Sequence, residues 1–330
     1  MAEWLYEAGI GENRAALVEG DTILEAAIEW PDELRAGAVL AGRLAAILVP
    51  GKRGIVQTGD GAEVLLEPLA AWVTEGAAVR VEIVREAVPE AGRARLPKAR
   101  LTQEDPRSGP TLEQRVRATD DPVTMVGAHG PDRLEAAGWS ELLDEAASGE
   151  IAFPGGALRM SLTPAMTLFD VDGALPAAEL ARAGAAAAGR AIRRFGIGGS
   201  IGIDLPTLEG KADRQAAAAA LDAVLPQPFE RTAVNGFGFL QLVRRRTRVS
   251  VPERVQGDPA GAAARALLRR AERDRGSGER VLVAAPGVVE RIEARPDWLD
   301  RLGRSLGAPI ALRADPRLAI SAGHVHSSPI

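Results

Sequence analysis

Three aspartates carry the clearest chemistry in this sequence: Asp170 and Asp172 in Phe169-Asp170-Val171-Asp172-Gly173, and Asp204 in Gly202-Ile203-Asp204-Leu205. Both segments read as apolar strands ending in an acid. Acids at the carboxyl ends of strands in an α/β sheet face the crevice where ligands bind. Hard divalent cations such as Mg2+ take carboxylate oxygens and keep several waters. An ion held that way activates water and stabilises charge on a phosphoryl group. Such chemistry needs two or three convergent carboxylates and neither Cys nor His. An Asp after an apolar strand also serves as an N-cap or turn former, and Asp172 before Gly173 fits a turn equally well. On pattern alone both readings stay open.

The rest of the inventory narrows the field. There is no cysteine, which excludes a disulfide scaffold, a Cys-ligated zinc site, an iron–sulfur cluster and a thiol nucleophile. The three histidines leave little for a multi-His metal site: His129 reads as a loop residue, and His324-Val325-His326 as a flexible tail. No base accompanies a Ser or Thr in a triad pattern. The glycines of GIGGSIG, residues 196–202, precede a strand instead of following one and opening a helix, so a dinucleotide loop fails on context.

With 330 residues, 46% hydrophobic and 26% charged, the chain has the composition of a globular protein of about two or three domains. The net charge of −5 argues against a globally basic nucleic-acid binder, and of the 40 basic residues only Lys52, Lys98 and Lys211 are lysines. No apolar run approaches the ~18 residues of a membrane span. The opening MAEWLYEAGIGENR lacks the basic-then-apolar order of a signal peptide, and a cytoplasmic location is the default expectation.

These acids need a sheet to hold them. Residues 14–19 and 22–29 form a hairpin pattern around Glu19-Gly20-Asp21. Residues 36–103 carry about five short strands punctuated by Gly and Pro, which fits a small closed barrel such as an OB-fold, or a generic β-sandwich. Residues 104–119 are polar, with Pro106, Gly109 and Pro110, and read as a linker. Residues 131–148 have helical spacing. Strands at 150–153, 158–162, 166–171, 200–204 and 238–243 alternate with helices at 177–195 and 211–224, which predicts a layered α/β domain. After the basic run Arg244–Arg248, a helix (260–275), a strand (280–284), a mostly helical stretch (288–306) and a strand (309–313) suggest a small C-terminal α/β unit. The expected class is α/β in the α+β multidomain sense. Its parts are an N-terminal segment 1–35 packing with 120–145, a barrel 36–103, a linker 104–119, a core 146–248 and a C-terminal domain 249–330.

Two blocks, TPAMTLFDVDGA (163–174) and GGSIGIDLPTL (198–208), resemble the ribonuclease E/G family, in which a strand leading into Asp-x-Asn is followed, after a helix, by a Gly-Gly-x-Ile-x-x-Asp strand. The likeness extends to Pro154-Gly155-Gly156, to NGFGFLQL (235–242) ending in Arg244–Arg246, to the opening RAALVEG (14–20), and to Arg313-Ala314-Asp315-Pro316. The resemblance implies a Mg2+-dependent endoribonuclease that prefers single-stranded RNA, with Mn2+ as an alternative ion. Asp170 and Asp204 would be the metal ligands, and Asp172 a catalytic neighbour standing where the family has Asn. It also implies an OB-type RNA-binding barrel and an RNase H-like remnant in 1–35 and 120–145.

The departures are specific. The segment that recognises a 5′-monophosphate is missing between the barrel and residue 120. The Cys-x-x-Cys zinc link is absent after Arg248, so no zinc is expected and any homo-oligomer must form by other contacts. The base-stacking positions of the barrel fall near Ile55 and Leu65, where aliphatic side chains forfeit ~1–3 kcal/mol of stacking per base. Candidate phosphate contacts are Lys52, Arg53, Lys98, Lys211, Arg214, Arg244 and Arg246. A catalytically weak or inactive RNA-binding protein of the same family is the alternative, and no membrane partner is expected.

Overall fold

In a computed structural model, which describes residues 1–89 and 94–328, the chain is a mixed α/β protein with a closed five-stranded barrel near its N-terminus. Strands β1 (Glu3–Ala8), β2 (Asn13–Glu19) and β3 (Thr22–Glu29) form an antiparallel meander. The β2–β3 turn uses Gly20 at φ 60°, a left-handed position that glycine adopts without strain.

The barrel follows: β4 (Val39–Val49), β5 (Arg53–Thr58), β6 (Glu63–Leu66), β7 (Ala78–Arg85) and β8 (Lys98–Leu101). Its order is β4-β5-β6-β8-β7, closed by β4 against β7, with β6 and β8 the one parallel pair. Alternation sends Leu44, Val56, Val64, Leu66, Val81, Ile83 and Ala99 inward, where all are buried. Closure removes the free edges that short strands would otherwise expose.

The stretch expected as a linker contains a helix, α1 (Leu112–Arg117). Thr111 caps it, and Gln114 returns the bond in a capping box. Leu112 and Val116, four residues apart, are buried against Trp4, Tyr6 and Leu17. Two apolar residues suffice to dock one short turn, too few to show as a periodic pattern. The chain then enters β9 (Val123–Met125), which adds to β1 in parallel and gives the sheet order β3-β2-β1-β9. The barrel is therefore inserted between two strands of one sheet. The helical stretch 131–148 divides at Gly138, φ 93°, into α2 (Arg133–Ala136) and α3 (Trp139–Ser148).

The largest sheet is built from β10 (Glu150–Phe153), β11 (Gly156–Leu162), β12 (Thr167–Gly173), β13 (Gly199–Asp204), β14 (Glu230–Arg231) and β15 (Phe239–Arg244). The order is β10-β11-β12-β13-β15-β14, and only β12–β13 is parallel. Helices α4 (Ala177–Arg194) and α5 (Lys211–Asp222) lie on one side, over Phe169, Val171, Ile201, Ile203, Leu240 and Leu242. The alternate residues, including Asp170, Asp172, Asp204 and Val243, are exposed on the other side.

Helix α4 sits unusually close to the sheet. A Cβ added at Gly184 would lie 2.3 Å from Val171 Cγ1. Gly184→Val is expected to destabilise by at least ~1–3 kcal/mol, the cost of overpacking. Gly59→Ala, where an added Cβ meets nothing within 4 Å, is the matched control. A thermal melt of each against wild type reads the difference.

The C-terminal part comprises α6 (Val251–Gly257), α7 (Pro259–Glu272), β16 (Glu279–Ala284), α8 (Pro286–Glu293), α9 (Pro296–Leu306), β17 (Ile310–Ala314) and β18 (His324–Ser328). The sheet order is β17-β16-β18. The His324/His326 segment, expected as a loose tail, is strand β18 paired with β16. The helical stretch 288–306 breaks at Pro296, which opens α9. Among the described residues, no helix is long and apolar enough to cross a membrane.

This C-terminal part grips the first sheet through buried charge. Arg14, 1% exposed, donates from Nε to Glu7 at 2.5 Å and from Nη2 to Asp132 at 2.8 Å. Arg273 reaches the same two carboxylates, and Arg269 pairs with Glu12 at 2.8 Å. Glu272 is buried beside them, and its Oε2 accepts from the Ile10 amide at 3.3 Å. Burial holds the Glu272 carboxyl above its ordinary 4.5. A carboxyl that binds its proton more tightly when folded stabilises the fold below 4.5, and that stability is lost as pH rises through the folded value. Glu272→Gln is therefore expected to raise the melting temperature at pH 7 and to leave it unchanged at pH 4.

Candidate active site

The parallel pairing of β12 and β13 sets Asp170 directly beside Asp204. Adjacent strands are ~4.8 Å apart, and side chains paired in register point to the same face. Both carboxylates therefore stand side by side on the helix-free face, Asp204 at the carboxyl end of β13 and Asp170 in the middle of β12, which runs on past the expected strand end to Gly173. Both are exposed, and among the described residues neither has a hydrogen bond or an ion pair. Asp172 lies two residues on, on the same face, and its Oδ2 is 3.4 Å from Arg159 Nη1. Arg159 also approaches Glu150 at 3.5 Å, and across β11–β12 it is the register partner of Asp170 itself.

On the far side of Asp204, β15 brings Phe239 into register, and its ring covers Gly202, where an added Cβ would be 2.5 Å from Phe239 Cζ. The turn before β15 is wound around Asn235, whose Oδ1 accepts from the amides of Phe237 at 2.9 Å and Phe239 at 3.0 Å. Gly238, φ 90°, lets this turn press onto the end of β13, since a Cβ there would be 2.2 Å from the Leu205 carbonyl oxygen. The same geometry leaves Phe237 84% exposed. The site thus combines two unpartnered carboxylates, one neighbouring guanidinium and one free aromatic ring.

Among the described residues, no group of three or more His, Asp or Glu side chains is assembled for a metal ion. The available donor set at this face is Asp170 and Asp204. That set fits Mg2+, which is commonly held by one or two carboxylates with water completing its shell. It does not fit zinc, which wants three or four closely set N or S donors.

No protein-family model matches this chain, and no curated protein matches it. The chemistry of the site is carried by its own geometry.

Of the seven basic residues expected to meet phosphate, five have partners inside the protein. Arg53 and Lys98 converge on Glu67, at 3.2 and 3.1 Å, and Lys98 foremost holds that carboxyl below its ordinary range. Arg214 donates to the carbonyls of Leu208 at 2.6 Å and Glu209 at 2.9 Å, which straps down the loop leaving Asp204. Arg244 donates to the Ile197 carbonyl at 3.3 Å, and Arg246 pairs with Glu253. These side chains are engaged by carbonyls or carboxylates of the protein, Arg53 and Lys98 at the surface and Arg244 and Arg246 partly buried. Lys52, in the β4–β5 turn, and Lys211, at the start of α5, have no carboxylate partner among the described residues.

Three residues escaped the sequence reading. Arg159 becomes a neighbour of the acids only through the β11–β12 register. Phe237 could have been noticed from Asn235-Gly236-Phe237-Gly238, a turn pattern that leaves its central side chain outside. Trp72 is 74% exposed in the β6–β7 loop, whose Leu69 amide donates to the Lys52 carbonyl at 2.9 Å. It supplies an aromatic surface to a barrel whose Ile55 and Leu65, paired across β5–β6, are aliphatic.

Proposed function

We propose that this chain is a Mg2+-dependent endoribonuclease acting on single-stranded RNA, as its resemblance to ribonuclease E/G implies. The observation that carries the proposal is the in-register pair Asp170–Asp204 on an open sheet face. Asp170 and Asp204 would hold the ion. When bound, it supplies an activated water and offsets charge at the scissile phosphate. Arg159 stands next to the pair as a cation for the incoming phosphodiester, and its contact with Asp172 offsets the charge of that third carboxylate. Phe237 offers a ring on which a base beside the scissile bond stacks. The barrel is read as an OB-type module, since its order and its single parallel pair match that reading, with Lys52 and Trp72 toward the strand.

A catalytically weak RNA-binding protein of the same family is the second reading. It is favoured by Asp172 being tied to Arg159 and by the aliphatic Ile55 and Leu65.

The test is cleavage of a 5′-labelled single-stranded RNA with Mg2+, with and without EDTA. Cleavage that EDTA abolishes supports the nuclease. Retention of RNA without cleavage supports the binding protein, and neither binding nor cleavage overturns both. Phe237→Ala is expected to weaken binding of a short single-stranded RNA by ~1–3 kcal/mol, read by fluorescence anisotropy, with an unchanged melting curve because the ring is exposed.

A further inference from the structure

A cleft far from the acid pair has an excess of positive charge that the protein does not neutralise. It has a volume of about 480 Å3 and lies between the end of β3, helix α1, the residue after β7, and the segment from Arg245 to Val251. Gly198, just before β13, lines it, whereas Asp204 ends that strand. Six residues of extended chain put the two sites roughly 20 Å apart.

Seven arginines and four glutamates line the cleft. Arg254 pairs with Glu33 at 2.6 Å, and Glu86 lies 3.9 Å from Arg248 and 3.8 Å from Arg254. Glu86 is itself held by the amides of Ala36 at 3.4 Å and Val249 at 3.3 Å. Three further arginines each have a carboxylate of their own. Arg115 and Arg245 remain. Among the described residues, neither has an ion pair, and Arg115 Nε is buried without a hydrogen-bond partner. Burial, then the nearby Arg248, pulls the Arg115 guanidinium down to about 10, which leaves it charged at neutral pH.

A half-buried cation with no direct ion pair, within the field of Glu86 and Glu29 but beside the Arg248 guanidinium, is costly unless an anion occupies the cavity. We propose that this cleft is a phosphate-binding site, with Arg115, Arg245 and Arg248 as its donors. Phosphate fits better than carboxylate. Two uncompensated charges match the −1.5 to −2 of a phosphate monoester, roughly, and its oxygens accept forked guanidinium bonds. The source is either a small phosphate compound or the backbone of an RNA strand, and the two share this chemistry.

The experiment is calorimetric titration of the full chain with pyrophosphate, with a nucleoside 5′-monophosphate, and with an oligoribonucleotide lacking terminal phosphates. Each titration is repeated on Arg115→Gln and Arg245→Gln. Wild type is expected to bind at least one of the three, and each variant to bind about tenfold or more weakly, as for a lost charged hydrogen bond. Binding of the first two alone points to a small or terminal phosphate, and binding of the oligonucleotide to the RNA backbone. Among the described residues Arg115 has no ion pair or hydrogen bond of its side chain to lose, and Arg248 offsets the pull of Glu86 and Glu29, so Arg115→Gln should melt no lower than wild type without ligand, and phosphate should raise the melting temperature of wild type only. Absence of binding by folded wild type, or wild-type affinity in both variants, overturns the proposal. Asp170 and Asp204 take no part, so failure of the nuclease reading leaves this result standing.

Discussion

Asp204→Asn and Asp170→Asn are each expected to lower Mg2+-dependent RNA cleavage by about a thousandfold or more while leaving the fold intact. The exchange keeps the shape of the side chain and removes its charge. Mg2+ is held by one or two carboxylates with water, and among the described residues the acid beside this pair, Asp172, is paired with Arg159. Metal assistance is worth several kcal/mol in the transition state, and each 1.36 kcal/mol is tenfold in rate. The fold is not at risk, because both side chains are exposed and, among the described residues, make no hydrogen bond or ion pair. Relieving the repulsion between adjacent unpaired carboxylates should even raise the metal-free melting temperature slightly. Binding gives an independent readout: Mg2+ should raise the melting temperature of wild type and not that of either variant, because only a ligand bound to the native state stabilises it. Wild-type cleavage in both variants would remove the assignment. Asp172→Asn belongs in the same series. It frees Arg159 from its nearer acid, and unchanged or higher activity is the expected result.

The largest stability effect is expected at Arg14. Its guanidinium is buried, bonded to Glu7 and Asp132, and lies 5.2 Å from the centre of the Trp139 ring. Arg14→Ala leaves the buried Glu7 and the partly buried Asp132 with Arg273 as their remaining shared cation. Removing one member of a buried ion network costs ~3–5 kcal/mol, because the charges left behind stay desolvated. The exposed pair Glu113–Arg117, at 2.9 Å on α1, is the contrast, and Arg117→Ala should cost well under ~1 kcal/mol. Chemical denaturation followed by circular dichroism measures both. An Arg14→Ala loss no larger than that of Arg117→Ala would show that Arg273 alone satisfies the cluster.

What could be read from the sequence, and what could not, divides by range. The strands of the barrel announce themselves because inward and outward residues alternate locally, as in Val81-Glu82-Ile83. Asp170 and Asp204 stand out because an apolar run ending in an acid is also a local pattern. Helix α1 hides inside a polar window, since its two buried residues gain their meaning from Trp4 and Tyr6 about a hundred residues upstream. The Arg244–Arg248 run looks like a single phosphate footprint. In the fold its members find different partners, Arg244 the Ile197 carbonyl and Arg246 Glu253, because β15 ends at Arg244 and Arg246 lies in the irregular segment beyond it. Arg159 and the Arg14 network are invisible for the same reason: register between distant strands, not composition, creates them.

The insertion of the barrel has a consequence for synthesis. Strand β1 pairs with β9, so residues 4–6 wait for residues 123–125. At ribosomal rates of ~5–20 residues per second, the parallel edge of the first sheet stays unpaired for roughly 6–25 s, while the whole barrel emerges between its two halves. A barrel whose strands all lie between residues 39 and 101 has every partner it needs before β9 exists. It can close first and bring Glu29 and Val123 back toward one another, shortening the loop that the later pairing must seal. A variant that slows barrel closure should therefore lengthen the exposure of the β1 edge and lower the soluble yield of nascent chains, even where the finished protein is as stable as wild type.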